Sequence, residues 1–134
     1  MHNVLRTLVT TFLSACILVA ASATLNASPL IVGGKNYTEQ YLLAECAQIL
    51  LEDAGIPAKT KTGVGSALAR KSLVNAQFDL YFEYTGTAYT VYYEQDDKGI
   101  MTDPQKVYDW VKNRDQEKGL IWLEPIKFNN TYTL

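Results

Sequence analysis

Histidine and cysteine are almost missing from this chain of 134 residues, which has one His and two Cys. His2 and Cys16 both fall in an N-terminal stretch that reads as a leader, so Cys46 is the one thiol expected in the mature chain. A zinc-type site then has almost no ligands. A disulfide framework is excluded. Cys46, inside an apolar helical pattern, reads as a small buried hydrophobe. Clustered positive charge is lacking too: 12 Lys and Arg stand against 14 Asp and Glu, for a formal charge of −2. Without a basic face, a nucleic-acid partner is not expected. Gly33-Gly34-Lys35 lacks the spacing and the terminal Lys-Ser/Thr of a phosphate-binding P-loop. No repeat, low-complexity tract or second domain interrupts the chain. What remains is an ordinary globular composition, 48% hydrophobic and 19% charged, long enough for one domain with a core.

The first 23 residues are not expected to belong to the fold. Met1 to Arg6 is short and basic, Leu8 to Ala20 is nearly all apolar, and Ala21-Ser22-Ala23 offers the small residues of a cleavage site. The apolar run is short of the ~20 residues that span a bilayer. It reads as a signal peptide of an exported protein, with residues 24–134 as the domain. Leu13-Ser14-Ala15-Cys16 offers an alternative, a lipobox whose Cys16 would carry a lipid anchor. Against it, Ile17-Leu18-Val19 continues the apolar run where a lipoprotein turns polar.

The remaining pattern alternates strand and helix. Leu30-Ile31-Val32 is a buried strand ending at Gly33-Gly34. Asn36 and Glu39 form a capping box for a helix whose stripe is Leu42, Cys46, Ile49 and Leu50, stopped by Gly55 and Pro57. Ala58 to Thr62 is an edge strand, and Gly63-Val64-Gly65 a turn. Ser66 caps a helix to about Ala76. Phe78 to Tyr84 is a strand with Phe78, Leu80 and Phe82 on one face, followed by a helix over Thr87 to Tyr93. Gln95 to Asp103 is a surface loop, and Asp103-Pro104 opens a helix buried through Val107, Trp110 and Val111. Gly119 ends it, and strands follow at Leu120–Leu123 and from Phe128 onward. The order predicts a three-layer α/β domain with a mostly parallel sheet.

In such sheets ligands bind outside the carboxyl ends of the strands. The strand at Phe78–Tyr84 delivers Tyr84 and Thr87 there, and the first strand delivers Lys35, which either meets an anionic group near a helix start or is a solvated turn lysine. Tyr132 closes Asn129-Asn130-Thr131-Tyr132 and, set near Tyr84, makes a second aromatic wall. Such walls hold a quaternary ammonium by the ring quadrupole, worth ~2 kcal/mol or more when desolvated. Tyr89, Tyr92 and Tyr93 read as helix packing. Asp79 and Glu83 are the available carboxylates, too far apart along a strand to act as an acid/base pair, so binding rather than catalysis is expected.

Three segments now stand in order: Gly33-Gly34-Lys35-Asn36-Tyr37-Thr38-Glu39-Gln40, then Asp79-Leu80-Tyr81-Phe82-Glu83-Tyr84-Thr85-Gly86-Thr87, then Trp122-Leu123-Glu124-Pro125 with Phe128-Asn129-Asn130-Thr131-Tyr132. Together they resemble the substrate-binding proteins of ABC importers for glycine betaine, choline and related osmoprotectants. The resemblance implies one lobe of a type II periplasmic binding protein, a periplasmic location, a quaternary amine as ligand and a membrane permease as partner, with no cofactor. It implies Lys35 and Thr87 on the ligand's carboxylate, and Tyr84 and Tyr132 as cage walls. Family members continue into a second lobe, so the chain is expected to carry one wall of the cleft and to bind weakly or not at all by itself. The rivals are a one-lobe interaction module or non-functional fragment, and an enzyme using Asp79 or Glu83.

Overall fold

The computed structural model describes residues 28–128. Strand β1 (Leu30–Lys35) pairs in parallel with β2 (Ala58–Val64) on one side and with β3 (Leu80–Tyr81) on the other, giving the order β2-β1-β3. Helix α1 (Thr38–Asp53) joins β1 to β2, and α2 (Ser66–Val74) joins β2 to β3. Right-handed crossovers in opposite directions put the two helices on opposite faces of the sheet. The packing agrees: Val32 lies with Ala44, Ala47 and Leu51 of α1, while its neighbour Gly33 meets the Phe78 ring beyond α2. The three-layer α/β arrangement is as expected, with β2 at the edge of the described sheet.

β1 does not end at Gly33-Gly34; it runs through both glycines to Lys35. The glycines serve close packing inside a strand. A Cβ on Gly33 would stand 2.0 Å from Cδ2 of Phe78, and one on Gly34 would stand 2.7 Å from Cγ2 of Thr62. Between Gly33 and Lys35 the pairing shifts by one residue, because β2 carries an extra residue there, with Gly63 at φ +89°. This bulge turns the end of β1 just where Lys35 sits.

Helix α1 departs from expectation in its cap and in its face. Tyr37 occupies the cap position without a side-chain bond, so Asn36 and Glu39 form no capping box. The expected stripe points outward: Leu42, Ile49 and Leu50 are 64%, 62% and 70% exposed, and Cys46 is exposed as well. The inward face is Gln40, Ala44, Ala47 and Leu51. A glycine-bearing strand lets the helix approach closely, and the small residues, not the bulky ones, fit that gap. Gly55, at φ +77°, ends the helix as expected.

β3 is shorter than expected, and Phe78 does not share its face with Leu80. The Phe78 N–H donates to the Ser72 carbonyl (3.2 Å) at the end of α2, and pairing begins only at Leu80 opposite Val32. Gly65, not Ser66, takes the cap position of α2. After β3 come α3 (Thr85–Thr87), which continues into a π-helical turn (Ala88–Tyr92), then α4 (Lys98–Met101) and α5 (Pro104–Gln116). Asp103 caps α5, its Oδ1 accepting from the N–H groups of Gln105 (3.0 Å) and Lys106 (3.3 Å). Ala88, Tyr89, Val107 and Val111 form a second core, with Trp110 and Trp122 against it. The expected strand at Leu120–Leu123 is irregular chain, tied to α5 by side chains: the Tyr108 hydroxyl donates to the Leu123 carbonyl (3.1 Å). The expected leader with Cys16, and all of the last strand beyond Phe128 with Tyr132, lie outside the described residues. No helix among the described residues is long and apolar enough to cross a membrane.

Candidate functional site

Lys35 and Tyr84, which the sequence places on separate segments, meet at the carboxyl ends of β1 and β3. The Lys35 Nζ stands 4.8 Å from the centroid of the Tyr84 ring. Lys35 is fully buried, so the solvated-turn reading is set aside. Its ammonium is ion-paired with Glu83, whose side chain is only 6% exposed. Burying a charge at such cost is tolerable only with a partner this close. Glu83 is held in turn by several donors. Its Oε1 also accepts the Tyr84 N–H (2.7 Å), and its Oε2 accepts the Tyr81 hydroxyl (2.6 Å) and faces the Tyr92 hydroxyl (2.9 Å). Tyr92 has a single proton, shared between Glu83 and the Ser66 carbonyl (2.9 Å). Burial and then the Glu83 charge push the Tyr81 and Tyr92 phenols well above their ordinary range, so both stay protonated as donors.

Tyr84 is half-buried, and its ring is fixed from the other end. Its hydroxyl donates to Glu39 Oε1 (2.6 Å) and accepts from Gln40 Nε2 (3.0 Å). Gln40 is fully buried on the inward face of α1, where its Oε1 also accepts the Lys35 backbone N–H at 3.3 Å. Among the described residues, the Lys35 ammonium and the carboxylates of Glu39 and Glu83 lie around the ring. Thr87 is half-buried, three residues beyond Tyr84 in α3. Asp79 has a backbone role: its Oδ2 accepts the Ile31 N–H (2.7 Å) at the start of β1.

Glu39, Gln40, Tyr81, Glu83 and Tyr92 were not expected to support the site together. One signal was available: Gln40 is a polar residue in register with Ala44, Ala47 and Leu51. Glu83, two residues beyond Tyr81, shares its strand parity, but only the fold shows that both face Lys35. Behind Tyr92 lies a second buried charge cluster. Arg70 stands 5.5 Å from the Tyr92 ring centroid and donates both ways to Asp115, with Nη1 to Oδ2 at 2.8 Å. Asp115 also accepts from the Tyr93 hydroxyl and from Trp122 Nε1 (2.6 Å). Burial alone would raise the Asp115 pKa; the bonds from Arg70, Tyr93 and Trp122 outweigh it and hold the group below the ordinary carboxylate value. Among the described residues no group of His, Cys, Asp and Glu is arranged to hold a metal.

Residues 28–134 match the family model described as the substrate binding domain of the ABC-type glycine betaine transport system. The chain belongs to this family. Its sequence is 39% identical over 120 residues to a glycine-betaine-binding protein of Pseudomonas aeruginosa, covering 90% of this chain and 38% of that protein. It is 35% identical over 124 residues to the glycine betaine-binding protein YehZ of Escherichia coli, covering 90% of this chain and 40% of that one. The solved apo YehZ structure superposes with a TM-score of 0.73 at 34% identity, over 78% of this chain and 38% of YehZ. The chain thus spans about two fifths of the length of these relatives. An ergothioneine transport permease/binding protein of Helicobacter pylori is 38% identical over 112 residues, 79% of this chain and 19% of that protein. The family is one of transport substrate-binding domains, not of enzymes, and the fold is that of a periplasmic-binding-protein lobe.

Proposed function

We propose that this chain carries one wall of a site for a quaternary ammonium osmoprotectant, such as glycine betaine or choline, outside the cytoplasmic membrane. The solute would be handed to the membrane permease of an ABC importer. The observation that carries the reading is the Tyr84 ring, held by Glu39 and Gln40 at the sheet's carboxyl edge. A ring face attracts, through its quadrupole, a cation that needs no hydrogen bond. In this reading Thr87 and Lys35 serve the polar end of the solute, and Tyr132 supplies a further ring. The relatives agree in kind, since two are glycine-betaine-binding proteins and a third joins permease and binding protein in one name. None of them favours an interaction module without a solute.

Titration of this chain followed by NMR reads binding even where it is weak. With glycine betaine or choline, resonances of Tyr84 and Thr87 should shift and saturate in the wild type, and those of Thr87 should stay put in Tyr84→Ala. Shifts that persist unchanged in Tyr84→Ala would refute the placement, and a concentration-dependent mass without any solute response would favour the module.

A further inference from the structure

Arg70 and Asp115 form an ion pair nearly closed to water: Asp115 is fully buried and the Arg70 side chain is 14% exposed. A buried pair of this kind is weak evidence for stability, because apolar side chains of similar volume often serve as well. What this pair does hold is geometry. Its two members grip consecutive tyrosines: the Tyr93 hydroxyl donates to Asp115, and the Arg70 guanidinium carbon stands 5.5 Å over the centroid of the Tyr92 ring. Tyr92 ends the π-helical turn Ala88–Tyr92, and the Tyr93 N–H closes that turn on the Ala88 carbonyl (3.1 Å). Single turns of this kind are rare and often accompany functional sites. From here the Tyr92 hydroxyl reaches Glu83 Oε2 (2.9 Å), the carboxylate that pairs with Lys35 at the strand ends.

We propose that Arg70 and Asp115 are positioning residues of the solute site: they hold the π-helical turn so that Tyr92 stays on Glu83 and Glu83 keeps Lys35 in place, an inference that rests on the reading that Lys35 serves the polar end of a solute. The other donors to Glu83, apart from Lys35, are the Tyr81 hydroxyl and the Tyr84 backbone N–H, which belong to its own stretch of chain. Tyr92 is the donor that ties the carboxylate to a different element. Its hydroxyl has one proton and two acceptors, Glu83 and the Ser66 carbonyl (2.9 Å), so a small tilt of the ring decides where that proton goes. The guanidinium against the ring and the bond from Tyr93 beside it resist the tilt. Arg70 does this with a planar fork bonded to both oxygens of Asp115, a geometry that a lysine ammonium cannot copy.

The test is a double-mutant cycle on the full chain, with glycine betaine as the probe and wild type, Arg70→Lys, Tyr92→Phe and the double variant compared. Each single change should weaken binding by about three- to tenfold, and the double variant should be no weaker than the worse single, because both changes break the same link. Effects that add, or a single variant that binds as tightly as wild type, overturn the positioning alone. A second readout needs no solute. The Glu83 carboxyl carbon resonance should move in Arg70→Lys in the same direction as in Tyr92→Phe, and a Glu83 signal that Arg70→Lys leaves unmoved overturns the positioning. If Arg70→Lys does not fold, Tyr93→Phe takes its place, since it removes one donor from Asp115 and leaves the ion pair. A wild type that does not respond to glycine betaine overturns the solute reading, and the Glu83 signal then decides whether Arg70 holds the carboxylate.

Discussion

Replacing Asp115 by Asn tests whether the charge cluster behind the site holds the second core together. The change keeps volume and removes the charge. Asp115 is fully buried and takes four hydrogen bonds, two from Arg70 and one each from Tyr93 and Trp122. Removing one partner of a buried pair costs ~3–5 kcal/mol, because it leaves the other charge uncompensated. The Arg70 side chain is still 14% exposed, so water recovers part of that, and the lower end, ~3 kcal/mol, is the working value. With a urea dependence of ~1.5 kcal/mol per molar, the midpoint should fall by ~2 M. Tryptophan fluorescence is a suitable probe, since Trp122 donates to Asp115 and Trp110 packs on Tyr93 with centroids 5.2 Å apart. A midpoint shift below ~0.5 M would refute the reasoning, because it would put Asp115 among surface pairs worth less than ~1 kcal/mol. The companion Arg70→Met, Asp115→Leu leaves no buried charge unpaired but takes the acceptor from Tyr93 and Trp122, so it should still cost ~1–3 kcal/mol for each donor left buried without a partner.

The same carboxylate gives a pH prediction. Its folded pKa lies below the ordinary value of 3.8, so its contribution is full above pH 3.8 and is lost as pH falls through the lowered value; the acid limb of melting temperature against pH should flatten in Asp115→Asn. Tyr93 runs the other way. Burial and the bond to Asp115 push its phenol up to about 12, so the protonated phenol stabilises the fold below pH 10 and that contribution is lost as pH rises toward 12; ultraviolet titration should show Tyr93 among the late-ionising tyrosines and ionising earlier in Asp115→Asn, where burial alone still holds it up. Gly33→Ala should destabilise by ~1–3 kcal/mol or prevent folding, because its Cβ would overlap the buried Phe78 ring; a urea midpoint equal to wild type would refute that close packing. Tyr84→Phe should keep the ring but leave Gln40 and Glu39 without its hydroxyl, lowering stability by ~1 kcal/mol and weakening solute binding far less than Tyr84→Ala does, as thermal melts and NMR titration would show.

The first three strands, two intervening helices and the capped helix at Asp103-Pro104 were legible because local chemistry marks them: apolar runs, Gly55 after a helix, Pro at a first helical position. The buried face of α1 was not. Leu42, Ile49 and Leu50 form a better apolar stripe than Gln40, Ala44 and Ala47, yet the second set packs on the sheet. Hydrophobic spacing ranks side chains by apolarity, whereas a strand with Gly34 facing the helix, near the Gln40 carbonyl, ranks them by how closely they let a helix approach. For the same reason the two glycines read as the end of a strand when they lie within it. At the site, Tyr84 and Lys35 could be named because each ends an apolar strand segment. Their shared dependence on Glu83 could not, since Lys35 and Glu83 stand 48 positions apart in the chain and are brought together by the parallel pairing of β1 with β3. The leader, Cys16 and Tyr132 lie beyond the described residues, and Thr87 is near Tyr84 in the chain without a described bond between them.

Buried charge distinguishes this lobe from a simple packed core and bears on how it would receive a solute. Lys35 and Glu83 lie at the carboxyl ends of the strands, Arg70 and Asp115 lie behind them, and Tyr92 touches both pairs through its hydroxyl and its ring. Among the described residues, no buried side-chain nitrogen or oxygen lacks a hydrogen-bond partner. A fully satisfied network resists rearrangement, because breaking any member exposes another to an unpaired state in low dielectric. The wall that presents Tyr84 is therefore set before a solute arrives. Preorganisation of this kind lowers the ordering cost of any association at this edge of the sheet.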